Sequence, residues 1–478
     1  MSNTRKSPRA AWVGLAAAAS LGSASGCAQS LSSQVSAVAQ LAQTRGLPSL
    51  REGEVDGRTG PAVQKLLEQP LRADAAGRIA LLNNAELRAQ LRELGVPASQ
   101  VVTAGLIANP TFELELLPER DSHYELRAEY DLTSLILAPL RRRAAQDELE
   151  AARLSTAAAV VEVGYQARAR FYALQAAAQQ HRLAQQSLEG LAAARDAAQA
   201  LLDAGNVRPL EAAAQIAAFE RASADVTKYG LALAERREEL QRFMGLAENQ
   251  SAWTIVEALT AAPAEPPRGD DIEAQALATN LDLRALKKRS DGLAKQSTVV
   301  RTQAWLPELD ADVHALRVDS GGGDARGLWR WGAGVSLQVP LFDRKQGRLS
   351  GLDAQQGATL ERVHGLSASL RSIARDARNR LVSAHARAHQ YETTVLPAQR
   401  AVMQQTMLQY NAMQLGVFPL LAARRELLNT ELTYVESLRD YWLARAELDA
   451  LTRGRAVRRT ESGGFAATTD STEETGGH

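Results

Sequence analysis

The sequence predicts a mixed α/β membrane protein that is mainly helical and is built from two internal repeats. Each repeat, around residues 109–245 and 306–454, contains two short strands, a very long Ala-rich helix, a Gly/Pro turn and a shorter helix. In the strands, apolar and polar side chains alternate with period two, which is typical of a strand between two different environments. A repeat of this length is too large for a solenoid unit, so it indicates duplication of a half-molecule.

Composition excludes several classes of protein. The 55 basic and 55 acidic residues give a net charge of zero, and aromatic residues make up only 5%, so nothing indicates a nucleic-acid surface. The single cysteine, Cys27, excludes an internal disulfide framework and a cysteine-based metal cluster. Beyond the N-terminus there is no run of about 18 apolar residues, so no transmembrane helix is predicted.

The N-terminus, residues 1–26, is typical of a signal peptide and is excluded from fold reasoning. A basic start is followed by the short apolar stretch Ala10–Leu21. Ala24–Cys27 then resembles a bacterial lipobox, whose cysteine is acylated after the preceding peptide is removed. Ala28 stands where an Asp would redirect such a lipoprotein, so the same resemblance favours outer-membrane sorting. The alternative is an ordinary secretory peptide with an unmodified cysteine.

The rest of the chain divides into an arm, two repeats, a linker and a tail. We expect an extended lipidated arm along the outside of the body, a Pro-rich linker between the repeats and a disordered tail rich in Ser, Thr and Gly. The boundaries are 27–75 for the arm, 76–245 for the first repeat, 246–270 for the linker, 271–454 for the second repeat and 455–478 for the tail.

The two repeats have matching element lengths. Each long helix is followed by a return helix about half as long, and the missing half is supplied by a helix that precedes the strands. The predicted long helices are 141–203 and 345–414, the return helices 210–244 and 420–452, and the preceding helices 75–107 and 272–304. The predicted strands are Thr111–Leu117, His123–Leu135, Glu308–Leu316 and Leu328–Val339.

Four strands with one apolar face raise a closure problem. They cannot form a barrel alone, and an open sheet edge cannot lie in hydrocarbon. If the apolar face meets lipid, three chains supplying twelve strands would close a barrel with an aqueous interior. Trp305, Trp329 and Trp331 fit an interfacial aromatic belt. The alternative is an ordinary antiparallel sheet whose apolar face covers a core.

The polar face of the strands would then line the lumen. Acidic residues outnumber basic ones there, which lowers the barrier for cations and raises it for anions. The alternative is that the lumen only needs hydrophilic residues and that their sign is incidental. The predicted lumen-facing residues are Glu113, Glu115, Glu125, Arg127, Glu129, Asp131, Asp310, Asp312 and Arg330.

Three segments resemble the TolC-type outer-membrane efflux family. They are Leu106–Pro110 before the first strand, Val339–Arg348 after the fourth, and Tyr410–Arg424 at the second turn. The Pro-Leu-Phe-Asp element of the second segment is the most specific of the three. In the first repeat it is reduced to Ala138–Arg141.

This resemblance implies a trimer with a twelve-stranded transmembrane barrel, four strands per chain, continued by a long periplasmic α-helical barrel. The partners it implies are a periplasmic adaptor protein and an inner-membrane RND-type transporter, with outer-membrane lipid around the barrel. Asn109 and Pro110 are most similar to the heavy-metal cation branch. Drug-efflux and type I secretion channels share the scaffold, and a barrel-less periplasmic adaptor is the alternative from another class.

No catalytic arrangement is predicted, and neither a cofactor nor a resident metal is expected. His385 and His389 are four residues apart but lack the glutamate of a zinc-protease motif, so a solvated helix face is the simpler interpretation. A surface-anchored hydrolase would need a nucleophile with a partner, and none is apparent. We therefore expect passive conduction, with the energy supplied by a partner protein.

The two helix-hairpin turns are the expected narrow point of the conduit. Polar contacts between helices there would hold a closed state, and docking of a partner would stabilise an open one. The alternative is that these are solvated turn residues. The candidates for gating or adaptor contact are Asp203, Asn206, Arg208, Gln414, Phe418, Arg424 and Arg425.

Overall fold

A computed structural model describes residues 31–46, 60–117, 122–247, 250, 252–256, 258–265, 271–319 and 329–457. The predicted signal peptide, Cys27 and the tail beyond residue 457 lie outside the described residues. The described residues form two compact units. The sheet lies in unit 1, formed mainly by residues 92–153 and 286–361, and unit 2 contains residues 36–91, 154–285 and those from 362 onward.

The described chain is mainly helical with one small antiparallel sheet, as predicted. The arm contains α1 (Leu31–Gln43) and α2 (Gly60–Leu67), and the first repeat contains α3 (Ala73–Asn83), α4 (Ala85–Glu93), α5 (Gly95–Gly105), β1 (Thr111–Leu117), β2 (Ser122–Asp131), α6 (Leu132–Asp203) and α7 (Pro209–Phe243). The second contains α8 (Ile272–Thr279), α9 (Leu281–Gln303), β3 (Glu308–Asp319), β4 (Trp329–Gln338), α10 (Gln346–Gln390), a π-turn (Tyr391–Val395), α11 (Leu396–Asn411) and α12 (Val417–Thr452).

The prediction of an extended arm over 27–75 is wrong where the chain is described, because α1 and α2 lie there. In α1 the side chains of Val35, Val38, Ala39 and Ala42 are buried. These residues are three and four positions apart, which is the helical period. The Ser and Gln residues between them made the segment look polar and irregular in the sequence.

The helices that precede the strands are interrupted rather than continuous. The predicted helix 75–107 is three helices, and 272–304 is two. At Asn84 the side-chain Oδ1 accepts a hydrogen bond from Leu87 N (3.0 Å), and at Asn280 it accepts one from Leu283 N (2.7 Å). Each Asn caps the helix that follows, so the chain restarts its helix at the same place in both repeats.

Strand β2 ends earlier than predicted, since residues 132–135 begin α6. Asp131 Oδ1 accepts a hydrogen bond from Ser134 N (3.0 Å), and Ser134 Oγ donates to Asp131 O (2.9 Å). This local cap overrides the apolar alternation that suggested a longer strand. Pro139, expected ahead of the helix, lies inside it.

The second long helix contains a π-turn at Tyr391–Val395. Pro397 lies in the first turn of the helix that follows. A proline has no N–H to bond the carbonyl four residues earlier, which is that of Thr393, and its ring crowds that carbonyl. One wider turn accommodates both effects without ending the helix.

The sheet of unit 1 has the order β1-β2-β3-β4, with every neighbouring pair antiparallel. β1 and β4 are therefore its two edges. None of the described helices combines the length and the apolar character needed to cross a membrane.

The core of unit 2 includes part of the predicted inter-repeat linker. Leu259 and Ala262 belong to the same buried cluster as Leu381 and Tyr441. Backbone carbonyls of this segment accept hydrogen bonds from side chains of the neighbouring helices, for example Thr260 O from Trp442 Nε1 of α12 (2.8 Å). The segment is therefore a packed part of unit 2.

The junctions at which the two repeats end are equivalent. Gly245 and Gly454 both have positive φ, +65° and +103°. A Cβ at Gly245 would lie 2.6 Å from Asn83 O, and one at Gly454 would lie 2.5 Å from Thr279 O. Only glycine fits this approach of the return helix to the preceding helix, so the internal duplication is visible in the structure.

Candidate functional site

The register of the sheet places all nine predicted lumen residues on one face. Glu113 lies opposite Arg127, and Arg127 lies opposite His314. The other predicted residues lie on the same face because each is an even number of positions along a strand from one of these, or is paired with such a residue. Arg330, for example, is paired with Leu316, which is two residues after His314. Side chains two residues apart point to the same side of a strand, so the sheet has one charged face.

Like charges lie directly opposite each other on this face. Glu129 is paired with Asp312, and Asp131 with Asp310. Such pairs destabilise a sheet by up to about 1 kcal/mol each unless water screens them. Arg127 offsets part of the charge through an ion pair with Glu125 (3.2 Å). This face therefore favours contact with water and has a surplus of negative charge.

At the end of the charged face nearest the helices there is a cleft of about 350 Å³. Its acidic lining residues are Asp131, Glu308 and Asp310, and its basic ones are Arg141, Lys345 and Arg348. Within this cleft the acidic and basic residues are equal in number, so the negative surplus lies further along the strands.

His314 is a residue of this face that the predicted set omitted. Its Nδ1 lies 3.0 Å from Asp312 Oδ2, and its ring lies over Gly332 of the neighbouring strand. The carboxylate of Asp312 lies over Gly334 in the same way. A Cβ at either glycine would collide with these groups, so Gly-x-Gly paired with Asp-x-His was the sequence signal that could have found this arrangement.

The opposite face of the sheet is mainly apolar and exposed, with Arg317 near the end of β3. Phe112 is 77% exposed, Trp331 76% and Val335 70%. Single exposed apolar residues are common, but a contiguous face of them marks an interaction surface. The sheet therefore separates a charged face from an apolar one across the thickness of one strand layer.

Within the described residues, no group of three or more His, Cys, Asp or Glu side chains is placed to hold a metal ion. The rings of His385 and His389 are stacked, with centroids 5.9 Å apart. His385 Nε2 lies 2.7 Å from Pro263 O, and the ring packs edge-on against Tyr441. This pair therefore contributes to packing in unit 2, and the expectation of a solvated helix face is wrong at His385, which is buried.

The first hairpin turn contains Asp203, Asn206 and Arg208. Asp203 ends α6 and accepts a hydrogen bond from Gln199 Nε2 (2.9 Å). Arg208 pairs with Glu211 (2.6 Å), one turn further on. The partners of both charged side chains lie within their own helix ends, and all three candidates are exposed.

The four candidates of the second hairpin lie at two levels. Gln414 is in the turn and Phe418 is the second residue of α12. Arg424 and Arg425 lie further along α12, where they line a small cleft together with Gly190 and Leu191 of α6. Leu421 packs against the apolar cluster around Leu191. The structure thus brings the second hairpin against the first.

The two turns have the same hydrogen-bond pattern. Asn206 N donates to Leu201 O (2.8 Å), and Gln414 N donates to Gln409 O (2.9 Å). At the matching position before each, Gly205 has φ +72° and Met413 has φ +60°. Met413 is therefore a non-glycine residue in the left-handed region, and its side chain is 94% exposed. Aligning the two turns in the sequence would have shown that Met413 occupies the position of Gly205.

Comparison with known proteins gives relatives with a similar fold. No protein-family model matches the chain. A curated relative is the cobalt-zinc-cadmium resistance protein CzcC of Cupriavidus metallidurans, which is 24% identical over 390 residues, covering 80% of this chain and 90% of CzcC.

Two solved structures are similar over most of their length. The CmeC outer membrane channel of Campylobacter jejuni has a TM-score of 0.63 at 15% identity, covering 80% of this chain and 85% of CmeC. The outer membrane protein VceC of Vibrio cholerae has a TM-score of 0.63 at 16% identity, covering 80% and 96%. The chain has the fold of the TolC-type outer-membrane channels. The family resemblance seen in the sequence is confirmed.

In this channel fold the two turns provide a matched test of backbone strain. A left-handed conformation costs a non-glycine residue roughly 1–2 kcal/mol. Met413→Gly should therefore raise the thermal unfolding midpoint of the detergent-solubilised protein, and Gly205→Ala should lower it by a similar amount. A Cβ at Gly205 meets nothing within 4 Å, so the second change tests strain without a clash. Circular dichroism at 222 nm follows the unfolding, and equal midpoints would contradict the strain.

Proposed function

We propose that the chain is the outer-membrane channel subunit of a three-component export system, and that it conducts its cargo passively. The observation that carries this proposal is the single sheet with a charged face and an exposed apolar face. A membrane pore wall needs both faces, because one meets water and the other meets lipid. The fold that this chain shares with the CmeC outer membrane channel supports the same proposal.

The open edges of the sheet favour a closed oligomer. β1 and β4 each leave one row of backbone groups without a partner strand in the described chain. In hydrocarbon an unpaired backbone group costs several kcal/mol, so the edges must pair with another copy. Three copies with four strands each make a twelve-stranded barrel, a size that leaves an aqueous interior.

The long helices supply the rest of the conduit. α6 has 72 residues, which at 1.5 Å per residue spans about 108 Å. We infer that these helices form a periplasmic tunnel whose hairpin turns meet a periplasmic adaptor and, through it, an inner-membrane RND-type transporter. Asp203, Asn206, Arg208, Gln414, Phe418, Arg424 and Arg425 are the proposed gate or contact residues.

Heavy-metal cations are the proposed cargo. The relative CzcC, whose match covers 80% of this chain, is named as a cobalt-zinc-cadmium resistance protein. The charged sheet face has seven predicted acidic residues against two arginines, and a negative lumen favours cations. Cys27 is the proposed lipid attachment point, which would tether the mature chain to the same membrane.

The proposed barrel can be tested with two neighbouring positions on β4. Val335 lies on the apolar face, and Ser336 lies on the charged face opposite Asp310. Val335→Lys should prevent assembly, because a lysine facing lipid costs about 2–4 kcal/mol near the bilayer midplane. Ser336→Lys carries the same charge into the lumen and should assemble normally. The measurement is the yield of folded oligomer in the outer-membrane fraction.

If both lysine variants assembled equally well, the apolar face would not meet lipid. A barrel-less periplasmic adaptor would also release from the membrane once Cys27 is changed to Ser, whereas a barrel protein stays membrane-bound. Equal assembly of the two lysine variants, or release of the Cys27→Ser protein from the membrane, would overturn the proposed channel.

The acidic face should set ion selectivity. Glu129→Gln combined with Asp310→Asn removes two charges that each lie opposite another carboxylate, so folding should not suffer. The reversal potential in a salt gradient should shift toward that of chloride. Glu68→Gln with Glu86→Gln, outside the sheet, is the charge-matched control. An unchanged reversal potential would mean that the sign of the lumen charge is incidental.

Cargo can be tested in a strain from which this chain has been deleted. Challenged with cobalt, zinc or cadmium salts, the strain should retain more metal than its parent, and the wild-type chain should restore export while Val335→Lys should not. Dyes and a secreted protein serve as the comparison cargoes. Loss of dye export or protein secretion with normal metal export would reject heavy metals as the cargo.

A further inference from the structure

Exposed aromatic, aliphatic and basic side chains meet where the sheet joins the helices. We call this set the collar patch, and it consists of Arg301, Trp305, Leu341, Phe342 and Arg344. Trp305 lies between α9 and β3, and Leu341, Phe342 and Arg344 lie between β4 and α10. Trp305 is 73% exposed and Phe342 92%.

The two arginines of the collar patch border the same indole. The Arg344 guanidinium lies 5.3 Å from the centre of the Trp305 ring. Arg301 and Trp305 line a shallow cleft of about 420 Å³, together with Thr298, Thr302 and Leu306. Neither guanidinium forms an ion pair with a carboxylate of the described residues, so both can accept an anionic ligand.

The collar patch continues the apolar face of the sheet. Val335 and Leu337 lie on that face of β4, and the exposed side chains of Val339 and Leu341 follow just beyond the end of the strand. All four side chains are more than half exposed. An apolar surface that ends in a tryptophan and two arginines has the order of the layers of a lipid monolayer, from acyl chain to headgroup.

We propose that the collar patch binds an anionic phospholipid. Arg301 and Arg344 hold the headgroup phosphate beside the Trp305 indole, and Leu341 and Phe342 contact the acyl chains. Arginine suits this role because its planar donors match phosphate oxygens, and because its stem covers apolar surface. The proposal rests on the proposed channel function, since it requires the apolar sheet face to meet lipid.

Native mass spectrometry of the purified full-length protein in detergent tests the lipid site. Phosphatidylglycerol should bind more tightly than phosphatidylcholine. Each basic residue near a membrane surface contributes about 1 kcal/mol, so Arg301→Gln with Arg344→Gln should weaken phosphatidylglycerol binding by roughly fivefold per arginine. Arg78→Gln with Arg221→Gln, at exposed arginines of α3 and α7, is the control and should bind like wild type.

Three outcomes would overturn the lipid site. They are equal affinity for both lipids, unchanged affinity in the Arg301/Arg344 variant, and displacement of the lipid by millimolar inorganic phosphate, which would indicate a site for free anions. Conductance of the same preparations in planar bilayers separates this failure from failure of the channel. A wild-type protein that conducts but shows no preference for the anionic lipid rejects the lipid site alone.

Discussion

The need to pair every backbone polar group in hydrocarbon is the constraint on which the proposed channel depends. The described part of the chain has four strands with an exposed apolar face and two edges that have no partner strand among the described residues. In water the exposed apolar face is unfavourable, and in lipid the open edges are unfavourable. In the proposed channel, association with further copies would resolve both conditions. The proposed barrel follows from this requirement, and the proposed lipid contact at the collar patch follows from the apolar face that such a barrel would turn toward lipid.

Duplication provides the scaffold that presents this sheet. Asn84 and Asn280 cap equivalent helices, and Gly245 and Gly454 allow equivalent close approaches. The repeats differ at the hairpin turns, where Met413 replaces the glycine that the conformation favours. An exposed side chain held in a strained conformation at one turn only makes the two turns chemically distinct.

The sequence predicted the strands well and the helix interruptions poorly, for identifiable reasons. Alternation over Phe112–Leu116 and Trp331–Val339 is a two-residue signal that tertiary packing did not need to modify. Each break, at Asn84 and at Asn280, depends on one side chain that accepts a hydrogen bond from a backbone N–H three residues later. The helical periodicity of a long segment does not reveal such a single contact. The extension of β2 beyond Asp131 failed for the same reason, because a local cap outweighed the apolar alternation.

The sequence by itself determined which residues share a face of the sheet, since alternation along an extended chain is a property of the backbone. It also determined that two half-molecules exist. Only the tertiary structure decided the register, which pairs Glu129 with Asp312 and seats His314 over Gly332. It also decided that Arg344 lies over Trp305, about forty residues away. Such pairings depend on how separate segments are held together, and no periodicity within one segment encodes them.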